Sequence, residues 1–244
     1  LPSKIKVAVV AALHREVAAL VKDWQVCEKQ YSGRTFRVFE HGNMVVVCGG
    51  IGAEAARRAA EAVIALYSPE RIWSAGFAGA ADPNLQVGQV LIPRHVIDAR
   101  DSSSIDTGTG EGILVSFATV ASPQQKAKLR DAFNADAVDM EAAAVAKASS
   151  ARGISFAAVK AISDRSNFDL PPLENFVAAD GTFNTLKFAL FLIPRLWMWP
   201  KVVRLQRSSS LAARALCQCL RGIGFEGDAL SQSQSEAVKL DDRR

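Results

Sequence analysis

Short β-branched and alanine-rich runs alternate with helix-length stretches from Ile5 to Ile162, and this alternation constrains the fold more than any other feature. Ile5–Ala11 has the length of a buried strand, and His14–Lys22 reads as a helix. Arg34–Glu40 and Met44–Cys48 flank His41-Gly42-Asn43 and predict a hairpin. The glycine-rich turn Gly49–Gly52 leads into an Ala-rich helix, Ala53–Tyr67. Arg71–Ala75 predicts a strand ending in Gly76-Phe77-Ala78-Gly79, with further strands at Gln89–Ile92, Val96–Ala99 and Ile113–Val120. Pro123 opens a helix to about Phe133, because proline is tolerated in a first helical turn. Glu141–Ala151 predicts another helix and Phe156–Ile162 a last strand. Strands and helices interleaved this way imply an α/β fold with a mostly parallel or mixed sheet covered on both faces. Sites in such sheets form from loops at the carboxyl ends of strands. Glu16, the Gly76 turn, Glu141 and Asp164 all fall just beyond expected strand ends.

The 244 residues suit one large α/β domain, or one domain with an appendage. Between Gly181 and Phe225 lie seven basic residues and no acid; with a formal charge of +4 overall, the rest of the chain is left at −3. Positive charge confined to one apolar segment points to a membrane surface or acidic partner for that segment. It argues against a nucleic-acid binder, whose positive charge should also line the folded body. Cys27, Cys48, Cys217 and Cys219 form no CxxC pair or zinc spacing, which suggests a reduced, cytoplasmic setting. His14, His41 and His95 are scattered, and no metal site is expected. Lys4-Ile5-Lys6 before an apolar run imitates a signal peptide, but the charged His14-Arg15-Glu16 follows at once and favours a first strand. Phe188–Pro200 is apolar but too short to span a bilayer, and Lys201–Leu220 has the pattern of a basic amphipathic helix. The expected organisation is a catalytic domain at 1–186, a basic, membrane-docking segment at 187–225 and a disordered tail at 226–244.

Single motifs have bland readings. Gly50-Ile51-Gly52-Ala53-Glu54-Ala55 matches GxGxxA, but the acid that should end the next strand is missing, since Glu70 precedes that strand. A tight turn beside a ligand is the better reading. Acids at Asp139-Met140-Glu141 suit the positive end of a helix dipole, and Ser163-Asp164 suits a strand-to-loop cap.

Taken in order, the motifs say more. Ala12–Val17, the Gly49–Gly52 turn, Gly76–Gly79, Met140-Glu141-Ala142 and Ala161-Ile162-Ser163-Asp164 together resemble the purine nucleoside phosphorylase and methylthioadenosine/S-adenosylhomocysteine nucleosidase superfamily. The resemblance covers about Lys4 to Asp164. It implies a single domain whose mixed sheet is partly closed as a barrel, flanked by helices, in a homo-oligomer with a dimer favoured. Asp164-Arg165-Ser166, Leu170-Pro171-Pro172, Asp180-Gly181 and the basic Trp/Leu/Arg tail are similar to the hopanoid-associated branch. That branch is implied to remove adenine from the lipid nucleoside adenosylhopane in the cytoplasm, at the inner face of the membrane.

Cleaving C1′–N9 creates an oxocarbenium-like sugar and an electron-rich purine. By resemblance, Asp164 is the acid that serves N7, a task for which burial must disfavour its ionised form. Ser163 orients it, Glu141 accepts hydrogen bonds from ribose hydroxyls, and Met140 packs on the sugar. Glu16 matches the carboxylate that activates water, which favours hydrolysis. Backbone N–H groups of the turn at Gly76 suit phosphate instead, so inorganic phosphate stays open as a co-substrate, with no other cofactor expected. Phe77 stands where these nucleosidases carry a small hydroxyl residue, and Asp139 where a glutamate is common. Phe117 is the one aromatic in the region that matches the base-stacking strand, and Gly52 borders the ligand turn. Two other readings stay open: a nucleosidase for methylthioadenosine or S-adenosylhomocysteine, and a non-catalytic nucleotide-binding protein.

Overall fold

The computed structural model describes residues 5–169, then 176, 178, 181, 182, 184, 187, 188, 191 and 195, and 198–241, with side chains of the last helix described as far as Ile223. Leu170-Pro171-Pro172 and Asp180 lie outside the described residues.

The first strand, β1 (Val7–Ala11), alternates its side chains between two cores. Ala8 and Val10 face one, Val9 and Ala11 the other. It lies parallel to β4 (Met44–Cys48) on one side and to β5 (Arg71–Ala80) on the other. The predicted hairpin is β3 (Arg34–His41) with β4. An edge strand, β2 (Gln25–Tyr31), precedes it; its polar, largely exposed side chains leave no apolar signal in the sequence.

At β5 the sheet branches. Arg71–Gly79 pair in parallel with β11 (Ser155–Asp164), while Gly79 and Ala80 pair antiparallel with β10 (Ala137–Asp139). From β10 the sheet continues through β9 (Ile113–Ser116), β7 (His95–Asp98) and β8 (Ser104–Asp106), and the short β6 (Val90–Leu91) pairs with β11. This is the mixed α/β sheet expected, with β5 twice as long as the sequence suggested because Gly76 and Gly79 do not break it.

Two helices cover one face: α2 (Ala53–Tyr67) and α4 (Ala142–Ser150), whose alanines let them sit close to the sheet. The helix expected at His14–Lys22 is only the single turn α1 (His14–Val17), after which the chain continues in turns to Trp24. In α3 (Pro123–Phe133) a reciprocal cap holds the start: Gln125 N–H donates to Ser122 Oγ and Ser122 N–H to Gln125 Oε1.

The last helix, α5 (Trp199–Asp241), covers the other face. Ala212, Leu216, Cys217 and Leu220 are buried in the core that this helix forms with β5, β6, β11 and the α1 turn. Burying a leucine side chain contributes about 1.5–3 kcal/mol, so this part of the basic segment is integral to the fold. Its backbone stays helical to Asp241, through the stretch expected to be disordered, where Ala229, Leu230, Glu236 and Ala237 are good helix formers. Among the described residues no helix is long and apolar enough to cross a membrane.

Candidate active site

Glu16, Glu141 and the pair Ser163-Asp164 come from three separate parts of the sequence and meet around one cavity of about 160 Å³, with Met140 and Phe77 on its wall. Glu16 sits in the α1 turn just after β1, almost fully buried. Its Oε2 accepts the N–H groups of Ala12 and Leu13, each at 3.1 Å. Gly76 lies directly behind it: a Cβ there would stand 3.2 Å from Oε2. Burial pushes the Glu16 carboxyl above its ordinary value, against the opposing pull of the Leu13 N–H and of Lys160. A carboxylate held this way suits a base poised to take a proton from water.

Glu141 does not cap the helix that follows it. Its Oε1 accepts the Gly52 N–H at 2.8 Å and its Oε2 the N–H of Met140 at 3.2 Å. The dipole-compensating position is taken by Asp139, which accepts the Ala142 N–H at 2.9 Å. Burial, reinforced by the charge of Asp139, pushes Glu141 up to about 7. Gly52 thus reaches the site through its N–H. The turn containing it is locked by Gly181, whose carbonyl accepts the Ile51 N–H at 2.8 Å.

Asp164 ends β11 at a register shift against β5. Ser163 Oγ donates to Asp164 Oδ1 at 2.8 Å, while Asp164 Oδ2 contacts the ammonium of Lys126. Both partners of that ion pair are almost fully buried. Gly79 leaves the room for it, since a Cβ there would stand 2.9 Å from both Asp164 Oδ2 and Lys126 Cε.

Phe117 is the expected residue that the structure does not bring in. Its N–H donates to the Asp139 carbonyl, and its side chain lines a neighbouring pocket with Arg100 and Ala144 instead. The strand it was expected to share ends one residue earlier, at Ser116. Thr119, Val120 and Ala121 take that side of the cavity.

Sequence reasoning missed three charged residues. Lys160, buried mid-strand, pairs with Asp139 Oδ2 at 2.9 Å and donates to Ser74 Oγ at 3.1 Å. Burial acts to lower its pKa but is outweighed by Asp139 and Glu141, so the ammonium is held charged beneath the two glutamates. Asp139 itself, given no role from sequence, also accepts Ser116 Oγ at 2.5 Å. A lysine inside an apolar strand was a readable signal, because lysine is rarely buried unless paired. Lys126 carried none, since it resembles any helix-surface lysine. Among the described residues no group of three His, Cys, Asp or Glu side chains could hold a metal.

A second, larger cavity of about 900 Å³ adjoins the first, sharing Arg15, Ile51, Phe77, Val120, Met140 and Leu205. One of its walls is a stripe of α5: Val202, Leu205, Gln206, Ser209 and Ala213.

A family model described as Phosphorylase superfamily matches residues 6–117 and 109–184. A 5′-methylthioadenosine/S-adenosylhomocysteine nucleosidase of Marinomonas sp. is 34% identical over 95 residues, 37% of this chain but only 41% of that protein. The enzyme of the same name from Staphylococcus aureus is 27% identical over 202 residues, 66% of this chain and 87% of that protein. Among solved structures, the Helicobacter pylori nucleosidase of this type superposes with a TM-score of 0.64 at 16% identity, covering 90% of this chain and 99% of that one.

Proposed function

This chain belongs to the phosphorylase superfamily and is an enzyme that cleaves the N-glycosidic bond of a purine nucleoside, and we propose that its substrate carries a large apolar 5′ substituent, as adenosylhopane does. The cavity of about 900 Å³ beside the catalytic one supports this reading. It lies near the upper end of the range of ~300–1,000 Å³ usual for ligand pockets, and a methylthio group would fill little of it. Its lining is largely apolar, with Phe77, Val120, Met140, Val202 and Leu205, so a hydrocarbon is better matched there than an amino acid.

In the proposed reaction Asp164 and its partners stabilise the departing purine while Glu141 holds the ribose hydroxyls. Glu16 takes a proton from a water that attacks C1′ on the opposite face. Hydrolysis is favoured over phosphorolysis because the group beside Gly76 is a buried carboxylate, which repels phosphate. Methylthioadenosine or S-adenosylhomocysteine is the second reading, supported by the names of the relatives.

Adenine release from adenosine, methylthioadenosine, S-adenosylhomocysteine and adenosylhopane in liposomes tests the proposal. The lipid nucleoside should show the highest kcat/KM, by at least about tenfold, roughly the least that a well-filled apolar pocket contributes. A preference for methylthioadenosine would establish the second reading. No adenine from any of the four would return the chain to the nucleotide binders. Running the reaction in ¹⁸O-water with phosphate present should label the sugar product at C1; a phosphoribosyl product would replace hydrolysis by phosphorolysis.

A further inference from the structure

Asp164 is poorly placed to donate a proton alone. Its Oδ1 accepts the Ser163 hydroxyl at 2.8 Å and its Oδ2 faces the Lys126 ammonium. With both carboxylate oxygens facing donors, the site offers Asp164 as an acceptor. The dissociable proton beside it sits on Lys126 Nζ, which also donates to the Arg165 carbonyl at 3.1 Å and lines the catalytic cavity. The capped first turn of α3 fixes where this lysine starts, and the missing side chain of Gly79 lets it pass.

We propose that the proton taken up by the purine comes from Lys126 and reaches N7 through Asp164. As the C1′–N9 bond breaks, its electron pair enters the purine ring. The Lys126 ammonium gives a proton to the Asp164 carboxylate, which passes it on to N7. Asp164 ends ionised and Lys126 ends as a neutral amine. The proton that water gives to Glu16 balances the one the purine has gained, and exchange with solvent returns it to Lys126. The acid is therefore a lysine–aspartate relay, with Lys126 acting through Asp164. The relay rests on the cleavage of a purine nucleoside and is indifferent to the 5′ group.

Lys126→Arg keeps a positive charge but cannot release a proton near neutral pH. Lys126→Met removes both. On the best adenine nucleoside each variant should lose about 10²-fold or more in kcat with KM within about threefold, the scale of lost general acid catalysis. 4-Nitrophenyl β-ribofuranoside, whose leaving group departs without protonation, should be cleaved by Lys126→Arg within about threefold of wild type. The kcat–pH profile of Lys126→Met should lose its alkaline side at lower pH than wild type, because Asp164 must then keep its own proton. That second measurement decides the matter even if the nitrophenyl substrate does not fit. Near-wild-type kcat in Lys126→Arg would reduce Lys126 to a counter-ion and overturn the relay. Equal losses on both substrates, or an unmoved alkaline limb, would do the same. A wild-type protein releasing adenine from no nucleoside would instead sink the cleavage reading, a result separable from any variant's.

Discussion

Gly52 donates its backbone N–H to Glu141 Oε1 at 2.8 Å, joining the glycine turn after β4 to the start of α4 across 89 positions of sequence. The bond fixes one carboxylate oxygen; the other accepts the N–H of Met140 at 3.2 Å, and the side chain lines the cavity.

Glu141→Gln should therefore weaken turnover of ribose substrates more than of their 2′-deoxy counterparts. A buried acceptor matched to a sugar hydroxyl discriminates strongly, because a missing hydroxyl leaves a polar group unpaired. We expect the ribose-to-deoxyribose ratio of kcat/KM to fall by about tenfold or more. Equal losses on both sugars would show that Glu141 supports the turn without touching the ribose.

The same substitution has a pH signature. Glu141 is raised from 4.5 to about 7 on folding. The folded protein thus binds that proton more tightly than the unfolded chain does. Raising pH from 4.5 towards 7 then costs the folded state stability, and above 7 the cost stays constant. Glutamine carries no such cost. Thermal midpoints of Glu141→Gln should gain on wild type between pH 5 and 7 and hold a steady difference at pH 8. A difference that does not vary with pH would mean Glu141 titrates alike folded and unfolded.

Gly76→Ala places a methyl carbon 3.2 Å from Glu16 Oε2, tighter than ordinary contact. Glu16 is pinned by two backbone N–H groups and must shift by a few tenths of an ångström. Misplacement of about 1 Å can cost on the order of 10²-fold in rate, so we expect roughly tenfold in kcat. An unchanged kcat would show that the position of Glu16 does not limit the reaction.

Removing the basic segment is not a fair test of membrane contact, because Leu216 and Leu220 are core residues. Replacing such a leucine by alanine costs about 2–5 kcal/mol on its own. The part open to a membrane is the start of α5, where Trp199 and Val203 are exposed beside Lys201, Arg204 and Arg207. Our reading is that this end rests on anionic lipid. The double substitution Trp199→Ala, Val203→Ser should lower binding to phosphatidylglycerol vesicles by about tenfold or more while turnover of soluble adenosine is kept. Unchanged vesicle binding would remove the membrane from the account.

The sheet core and the three carboxylates were legible because each lies where an apolar run meets a loop: Glu16 after β1, Glu141 after β10, Asp164 at the end of β11. What the sequence hid was determined by partners distant along the chain. Lys126 becomes distinctive only because Asp164, 38 positions away, meets it in the interior. Phe117 looked like a base platform until the strand ended one residue before it. The tail looked wholly basic and amphipathic because its charges dominate the pattern. Its apolar stripe at Ala212, Leu216 and Leu220, spaced by four, was the mark of a helix packed on a core.

On the proposal that the large cavity takes the 5′ group, α5, which buries one stripe and walls that cavity with another, carries part of the substrate selection on a different piece of chain from the reacting groups. Glu16, Glu141, Lys126 and Asp164 are anchored in the body, whereas Val202, Gln206 and Ala213 belong to α5 and line the large cavity without lining the catalytic one. Exchanging those helix positions for bulkier or more polar residues is a route by which descendants of this protein could change what they accept while inheriting an unaltered reaction. A directed library confined to that face would search substrate range with the reacting centre held constant.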